Sequence, residues 1–451
     1  MKSIIFRPYF ILILSLSGFF FFAESCSLKK DTIASSGVGT TFGHWGNLRP
    51  GKYMAGYKDT VLFKQDEIFT YRNFKSNKPF FVSIWYPARE NARAPFMTIE
   101  DYLKYPKQEK YATLYDSMII SFHQIIIEYG VNINIGEGRE KPVYDEEKMK
   151  LFSDVLGTTV RAKRNLTTVP GKLPCILYHH GAQSVPFDNN VFCEFMASHG
   201  YIVISSTYNL PDERVGGLTV STDERFNDIT DIEFMANFVR QVPSVDKTRM
   251  VAVGHSWGAQ ALLRHDNTQT VKYFKGIVSL HTTLEDKPLD YAKESWPEFQ
   301  YIYENQCEKS TTPVTLFAPL SRVTREKIDT LPNGEETTTI VTRFFRKPEF
   351  NAFRLNKTTP YLFTTINHPV FHDGFIALGN IRFPYCEKYK LNDIAEIRSQ
   401  QLKYEEIVNF SKRTIDSFMK SNTFPSIEDK TEIFLYEFYN YPKPPISSKP
   451  D

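Results

Sequence analysis

Short apolar runs alternate with amphipathic stretches from residue 170 onward. Runs of β-branched and apolar residues predict strands at Cys175–Tyr178, Tyr201–Ile204, Met250–Val253, Ile277–Leu280, Val314–Phe317 and Tyr361–Thr364. Apolar positions at helical spacing predict helices at Val191–Ser198 and Phe226–Val242, from about Gly258, and at Ile394–Phe418. Because short strands and helices alternate, the pattern predicts an α/β fold with a mostly parallel sheet covered on both faces.

One strand precedes this region, and two segments do not follow the alternation. The aromatic run Phe80–Tyr86, which a proline ends, predicts an early strand. The stretch from about 99 to 165 has a helical pattern, and the stretch from about 321 to 358 contains Asn333-Gly334, which favours a hairpin turn. We interpret both stretches as decorations on a single domain that covers about residues 45–425.

The first 25 residues have the pattern of an export signal. Lys2 and Arg7 form a short basic region, and an apolar run follows from Tyr9 to Ala23. This run is shorter than the roughly 20 apolar residues that a membrane-spanning helix needs. We therefore expect residues 1–25 to be a cleaved signal peptide and the protein to be exported.

Cys26 stands directly after this signal, behind the small residues Ala23 and Ser25 that a signal peptidase requires. Its position resembles the lipidation site of bacterial lipoproteins, although a cysteine can also follow an ordinary cut. The resemblance implies a lipid anchor on Cys26 as the only membrane attachment. Residues 26–44 would be the tether, because they are mostly small and polar, and residues 426–451 a C-terminal tail.

Composition excludes several classes of protein. The 54 Lys and Arg nearly balance the 52 Asp and Glu, which gives a net charge of +2. Nucleic-acid-binding proteins usually carry an excess of basic residues, so this class is not expected. A hydrophobic fraction of 41%, with 15% aromatic residues, is too high for a disordered chain. Without the first 25 of its 451 residues, the chain is still longer than one α/β core of roughly 250–300 residues needs, which leaves room for the two decorations.

Five cysteines are too few for a scaffold built on disulfides. Cys175 and Cys193 lie in apolar segments, so we interpret them as small buried hydrophobes. The spacing of Cys307 and Cys386 leaves open whether any of the cysteines pair.

A nucleophile is predicted at Gly254-His255-Ser256-Trp257-Gly258. This G-x-S-x-G sequence follows the predicted strand Met250–Val253 and opens a predicted helix, which is the context that the motif requires. A sharp turn there lifts the Ser256 hydroxyl clear of the sheet. It also directs the N–H of Trp257 towards a developing oxyanion.

The serine needs a base, and in hydrolases with this turn the chain order is serine, acid, histidine. Four histidines follow Ser256. His265 is expected on the surface of the helix, whereas His368 follows the last predicted parallel strand, where the sheet presents catalytic groups. We predict His368 as the base and His372 as a supporting residue or bystander. The proline between them argues against a metal pair on one helix, so no metal is predicted.

A second oxyanion donor is expected in the loop after an earlier strand. Residues Tyr178–Gln183 include Gly181, which lets the backbone approach closely. The N–H of Ala182 is the predicted donor, together with that of Trp257.

These motifs together resemble the platelet-activating-factor acetylhydrolase and dienelactone-hydrolase-like branch of the α/β-hydrolases. The similar segments are Leu48–Tyr57, Val82–Ala88, His180-Gly181-Ala182, Ala197–Tyr201, Val245-Asp246 leading into Gly254–Gly258, and His368 to Gly379. The resemblance implies an α/β-hydrolase fold and hydrolysis of acyl esters through an acyl-enzyme. It also favours His368 over His372 as the base, and no cofactor is expected.

The chain departs from that family at the acid. Where the family has an Asp at the end of the strand after the turn helix, this chain has Ser279-Leu280-His281. The nearest acids are Glu285 and Asp286. We predict Glu285, with Asp286 as the alternative, and assign His281 no role.

The sequence therefore predicts an exported serine hydrolase that cleaves carboxylic esters with short or apolar acyl groups. Its substrate would be a small molecule or a lipid ester. The alternative is a binding or scaffold lipoprotein on a hydrolase fold that has lost its chemistry, which the missing strand-end Asp favours.

Overall fold

The structure is a computed structural model. It describes residues 43–104, 111–114, 116, 150, 153–182, 184–212, 217–219, 227–268, 271–282, 310–319, 321–330, 336–345, 361–366, 372–377, 394–426 and 434–439. The signal peptide, Cys26 and nearly all of the tether lie outside these residues. All described residues fall within one compact unit, Thr41–Asp451.

The strands, in chain order, are β1 Met54–Tyr71, β2 Phe74–Ala88, β3 Ala162–Arg164, β4 Leu173–His179, β5 Ile202–Ser206, β6 Leu210–Asp212, β7 Gly217–Thr219, β8 Val245–His255, β9 Ile277–Leu280, β10 Val314–Pro319, β11 Ser321–Thr330, β12 Glu336–Phe345, β13 Tyr361–Ile366 and β14 Phe434–Tyr439. The helices are α1 Ile99–Tyr102, α2 Asn190–Ser198, α3 Asn227–Gln241, α4 Trp257–Thr268 and α5 Ile394–Ser421, with short 3₁₀ helices at Gly43–Trp45 and His372–Phe375.

Ten strands of the described chain form one sheet in the order β14-β13-β10-β9-β8-β4-β5-β2-β1-β3. The six strands from β13 to β5 run parallel. β2 pairs antiparallel with both β5 and β1. Each of the six parallel strands contains a segment predicted from its apolar run. The α/β fold with a mostly parallel sheet is thus confirmed.

Alternate side chains of the central strands enter hydrophobic clusters on opposite faces of the sheet. In β4, Ile176 and Tyr178 belong to one cluster, and Cys175 and Leu177 to the other. Helices α2 and α5 cover the first face, and α3 and α4 cover the second. Because both faces are buried, these strands are apolar throughout, which is why their sequences stand out.

The hairpin expected near Asn333-Gly334 is present. β11 and β12 pair antiparallel, in a register from Ser321↔Phe345 to Thr330↔Glu336. The two turn residues themselves lie outside the described residues.

The helical pattern at 99–165 needs a correction at its end. Ala162–Arg164 forms β3, which pairs parallel with β1 as the outer strand of the sheet. β3 pairs with Ala55, Gly56 and Tyr57, so it covers the edge of β1 at these three residues. The part of this segment between 117 and 149 lies outside the described residues.

The segment predicted as a C-terminal tail also contributes to the sheet. Phe434–Tyr439 forms β14, which pairs antiparallel with β13 over six residues. Its aromatic, strand-favouring composition (FLYEFY) suits it to cover the other edge. The tail interpretation is wrong for these six residues.

Cys175 and Cys193 are buried with free thiols, as their apolar neighbours indicated. Cys307 and Cys386 lie outside the described residues. Within the part of the chain that is described, no helix combines the length and hydropathy of a membrane span.

Candidate functional site

Ser256 lies on a sharp turn between β8 and α4. β8 ends at His255 and α4 begins at Trp257, so the serine is the only residue between strand and helix. Its backbone has φ of +52°, a left-handed conformation that is strained for a residue with a side chain. The side chain is partly exposed beside buried neighbours. Such strain at one serine is typical of a functional position.

The two glycines of the motif are required by backbone atoms that pass close to them. A Cβ on Gly254 would lie 2.6 Å from the amide nitrogen of Ala259. A Cβ on Gly258 would lie 2.3 Å from the carbonyl oxygen of His179, at the end of β4. No side chain fits at either position without movement of the main chain.

The loop after β4 lies against the turn. A Cβ on Gly181 would come within 3.2 Å of the Cβ of Ser256 and 3.1 Å of Nδ1 of His255. Ala182, the next residue, is exposed. Trp257 is the first residue of α4, so its N–H points out of the start of the helix. Gly181 and the start of α4 thus lie next to Ser256, and the two predicted oxyanion donors belong to these two segments.

The two histidines before Gly181 are structural. Both are fully buried, and His179 stacks on the ring of Tyr208 with 3.6 Å between ring centroids. Burial lowers the pKa of His180 to about 4, and burial also lowers that of His179. Both rings are therefore neutral at physiological pH.

The buried carboxyl group of Asp188 holds the loop after β4 through hydrogen bonds. Asp188 accepts hydrogen bonds from the Tyr178 hydroxyl at 2.7 Å and the Ser184 hydroxyl at 2.7 Å. The N–H of Gly181 also donates to it. Burial raises the pKa of Asp188 to about 7, against the lowering effect of these donors. Asp188 thereby ties both ends of the loop to the strand.

Asn189 connects the start of α2 to the segment that follows the predicted base. Its Oδ1 accepts from the N–H of Ala377 at 3.1 Å and from the Tyr404 hydroxyl of α5 at 2.6 Å. Its Nδ2 donates to the Phe375 carbonyl at 3.5 Å. His368 lies outside the described residues, as does the side chain of His372. The structure therefore shows how Asn189 holds residues 375 to 377, and the position of the predicted base His368 stays a prediction.

His281 occupies the strand-end position where the resembling family has its acid. It follows β9 directly, with φ of +55°, and its N–H donates to the Phe317 carbonyl at 3.0 Å. Its ring lies 5.2 Å from that of Phe375, between centroids. The predicted acids Glu285 and Asp286 lie outside the described residues.

The expectation that His265 faces the surface is wrong. Only 1% of its surface is exposed, and its ring lies against Tyr273 and Phe274. Burial lowers its pKa to about 4. The rings of Tyr273 and Phe274 cover the side of α4 that carries His265.

The turn that carries Ser256 follows β8, the fifth strand of the sheet when the strands are counted from β1. From β1 the neighbours run β2, β5, β4, β8, β9, β10 and β13, with β2 antiparallel to the rest of the core. The oxyanion loop follows β4, the strand next to β8. This is the α/β-hydrolase fold.

Comparison with solved structures finds weak likenesses. A ferulic acid esterase from Streptomyces cinnamoneus aligns over 84% of this chain and 94% of its own, with 13% identity and a TM-score of 0.48. The acylaminoacyl peptidase of Pyrococcus horikoshii aligns over 34% of this chain and 28% of its own, with 19% identity and a TM-score of 0.25. A puromycin-hydrolyzing peptidase of Mycobacterium tuberculosis aligns over 35% and 28%, with 17% identity and a TM-score of 0.27.

No family model matches the chain, and no curated protein matches it. The structural likenesses are too weak to assign an activity or a substrate.

The sequence motifs led to Ser256, Trp257 and Ala182, but not to the polar residues that hold the loops. Asp188, Asn189 and Asn209 are all buried. Asp188 and Asn209 bind groups of the loop after β4, and Asn189 binds the segment that contains Ala377. One signal was available, because polar residues shortly after the apolar strands β4 and β5 are unusual in a buried region. No spacing rule links them to the serine.

Proposed function

We propose that the protein is a serine hydrolase that cleaves carboxylic esters through an acyl-enzyme. Ser256 would be the nucleophile and His368 the base. Glu285, or Asp286 as the alternative, would orient the imidazole. The observation that carries the proposal is the strained Ser256 turn, which Gly254 and Gly258 make possible and which lies against the loop of Gly181.

The chemistry follows from this arrangement. His368 takes the proton of the Ser256 hydroxyl as the oxygen attacks the ester carbonyl. The resulting oxyanion accepts hydrogen bonds from the N–H groups of Ala182 and Trp257. The imidazolium then protonates the departing alcohol. Water, activated by the same histidine, releases the acid and restores the serine.

The substrate class is an ester with a short or apolar acyl group, from a small molecule or a lipid. The resemblance to the platelet-activating-factor acetylhydrolase branch supports this choice, and no cofactor is needed for it. Export by the signal at 1–25 and a lipid on Cys26 would place the enzyme at a membrane surface, outside the cytoplasm. Both assignments rest on the N-terminal sequence alone.

The test is the substitution Ser256→Ala with p-nitrophenyl acetate and butyrate as substrates. We expect kcat to fall by at least about 10³-fold with the fold unchanged, because no nucleophile remains. Ser205→Ala is the matched control, since Ser205 is a buried serine of β5 outside the turn. Unchanged turnover in Ser256→Ala would refute the proposal.

A second candidate is a binding module that has lost catalysis. It is favoured by one observation, namely that His281 stands where the resembling family has a carboxylate. This candidate predicts a folded wild-type protein that hydrolyses no ester and does not react with serine-directed probes.

A further inference from the structure

The peptide between Gly181 and Ala182 is fixed through its carbonyl group. The Gly181 oxygen accepts a hydrogen bond from Nδ2 of Asn209 at 3.1 Å and one from Nδ1 of His180 at 2.7 Å. The N–H of Ser184 adds a longer one at 3.4 Å. His180 and Asn209 are both buried, so water does not compete for this carbonyl.

The state of His180 follows from its partners. The carbonyl of Gly181 can only accept, so Nδ1 carries the proton. The other ring nitrogen, Nε2, accepts from the N–H of Tyr208 at 3.3 Å. Burial lowers the pKa of His180 to about 4, against the raising effect of the Gly181 and Ser206 carbonyls. A neutral ring satisfies the contacts with Gly181 and Tyr208. His180 and Asn209 thus join the segment after β5 to the loop after β4.

A fixed carbonyl also fixes the next N–H. In a trans peptide the C=O of one residue and the N–H of the next point in opposite directions. Asn209 and His180 hold the Gly181 oxygen towards the protein interior, so the Ala182 N–H is turned away from them. Among the residues that the structure describes, no acceptor is bound to this N–H, and Ala182 is exposed.

We propose that Asn209 is a positioning residue for ester hydrolysis: it sets the direction of the Ala182 N–H that binds the oxyanion. This proposal rests on the proposed function, and it adds a residue that is not among the predicted catalytic residues. Asn209 does not touch the reacting atoms. Its amide holds the Gly181–Ala182 peptide, and this peptide begins beside the serine, because a Cβ on Gly181 would come within 3.2 Å of the Cβ of Ser256.

A positioning role has a kinetic signature that a structural role lacks. The oxyanion forms only in the transition state, so a misdirected N–H lowers kcat and leaves substrate binding unaffected. Removal of an oxyanion donor costs about 10²–10³-fold in kcat. Since Asn209 acts through a peptide that His180 also holds, we expect a smaller loss of about 10- to 100-fold.

The experiment compares Asn209→Ala and Asn209→Asp with Asn190→Ala. The aspartate keeps the shape of the side chain and cannot donate to the carbonyl when ionised. Asn190 is the matched control, because it is also buried and its amide donates to Glu194 at 2.9 Å, away from the loop. The readouts are kcat and KM for p-nitrophenyl butyrate and Ki for a trifluoromethyl ketone, whose serine adduct carries an oxyanion.

We expect both Asn209 variants to lose about 10- to 100-fold in kcat with KM within about twofold, and Ki to rise by the same factor as kcat falls. Asn190→Ala should leave kcat and Ki within about twofold. A kcat within twofold of wild type in either folded Asn209 variant would overturn the inference. So would an equal loss in Asn190→Ala, or a loss of kcat with Ki unchanged.

The two proposals fail in different ways. If wild-type protein hydrolyses no ester and forms no Ser256 adduct, the proposed function itself is wrong. If wild type is active and the Asn209 variants match it, only the role of Asn209 is wrong. Should Asn209→Ala fail to fold, the shape-matched Asn209→Asp variant decides.

Discussion

Gly258 is the residue where the turn has least room. A Cβ there would meet the carbonyl oxygens of His179 and His180 at 2.3 and 2.4 Å, and both atoms belong to the main chain. Since β4 cannot move without disturbing the sheet, we expect Gly258→Ala to lower the free energy of unfolding by about 3 kcal/mol.

Urea denaturation followed by circular dichroism measures this loss. Gly157→Ala is the control, because the nearest atom to a Cβ at Gly157 is 3.4 Å away, an ordinary contact. It should change the free energy of unfolding by about 0.5 kcal/mol or less. Equal stability of the two variants would show that the turn is looser than described.

His265 gives a prediction about pH. Its pKa is lowered from 6.5 to about 4 by burial, so the folded protein binds its proton less readily than the unfolded chain. Above pH 6.5 the ring is neutral in both states, and His265 does not reduce the free energy of unfolding. As the pH falls towards 4 the unfolded chain binds the proton first, so the free energy of unfolding decreases. The loss amounts to about 3 kcal/mol at most, from 1.36 kcal/mol per pKa unit.

Replacing this residue removes the effect. We expect His265→Leu to flatten the decline in unfolding free energy between pH 6.5 and 4, relative to wild type, because leucine has no proton to bind. Urea denaturation at several pH values gives both curves. Parallel curves for variant and wild type would contradict the buried, neutral state of His265.

At the scale of elements, the central strands could be predicted from sequence and the edge strands could not. β4, β5, β8 and β9 are buried on both faces, so each is a continuous apolar run. Among the described strands, β3 and β14 each pair with one neighbour, β1 and β13 respectively. Each pairs with a strand from a distant part of the chain, and its own sequence does not indicate which strand that is.

β14 gives a prediction of its own. A chain that ends after residue 426 lacks it, which leaves the outer edge of β13 with unpaired backbone groups. Such an edge can pair with another chain. We expect this shortened protein to melt at a lower temperature and to associate as its concentration rises.

Light scattering after size-exclusion chromatography measures the association, and a chain that ends after residue 440 is the control because it keeps β14. The control should stay at one mass across the concentration range. If both shortened proteins keep one mass and the same melting temperature, β14 does not protect the edge.

At the scale of the whole molecule, the site is assembled from segments that are far apart in sequence. The local motif predicts Ser256 because strand, serine and helix are consecutive residues. The roles of His368 and of Glu285 or Asp286 stay predictions, since these residues lie outside the described ones. In the sequence Asn209 is visible only as a polar residue after an apolar strand, because its importance comes from a contact with a carbonyl 28 residues earlier.

The central claim is that the fold activates Ser256. The most direct measurement treats the folded wild-type protein with a fluorophosphonate and determines its intact mass, followed by peptide mapping. We predict a single adduct on the peptide that contains Ser256, and no adduct in Ser256→Ala. A folded wild-type protein that takes up no probe, or takes it up at another residue, would contradict the account.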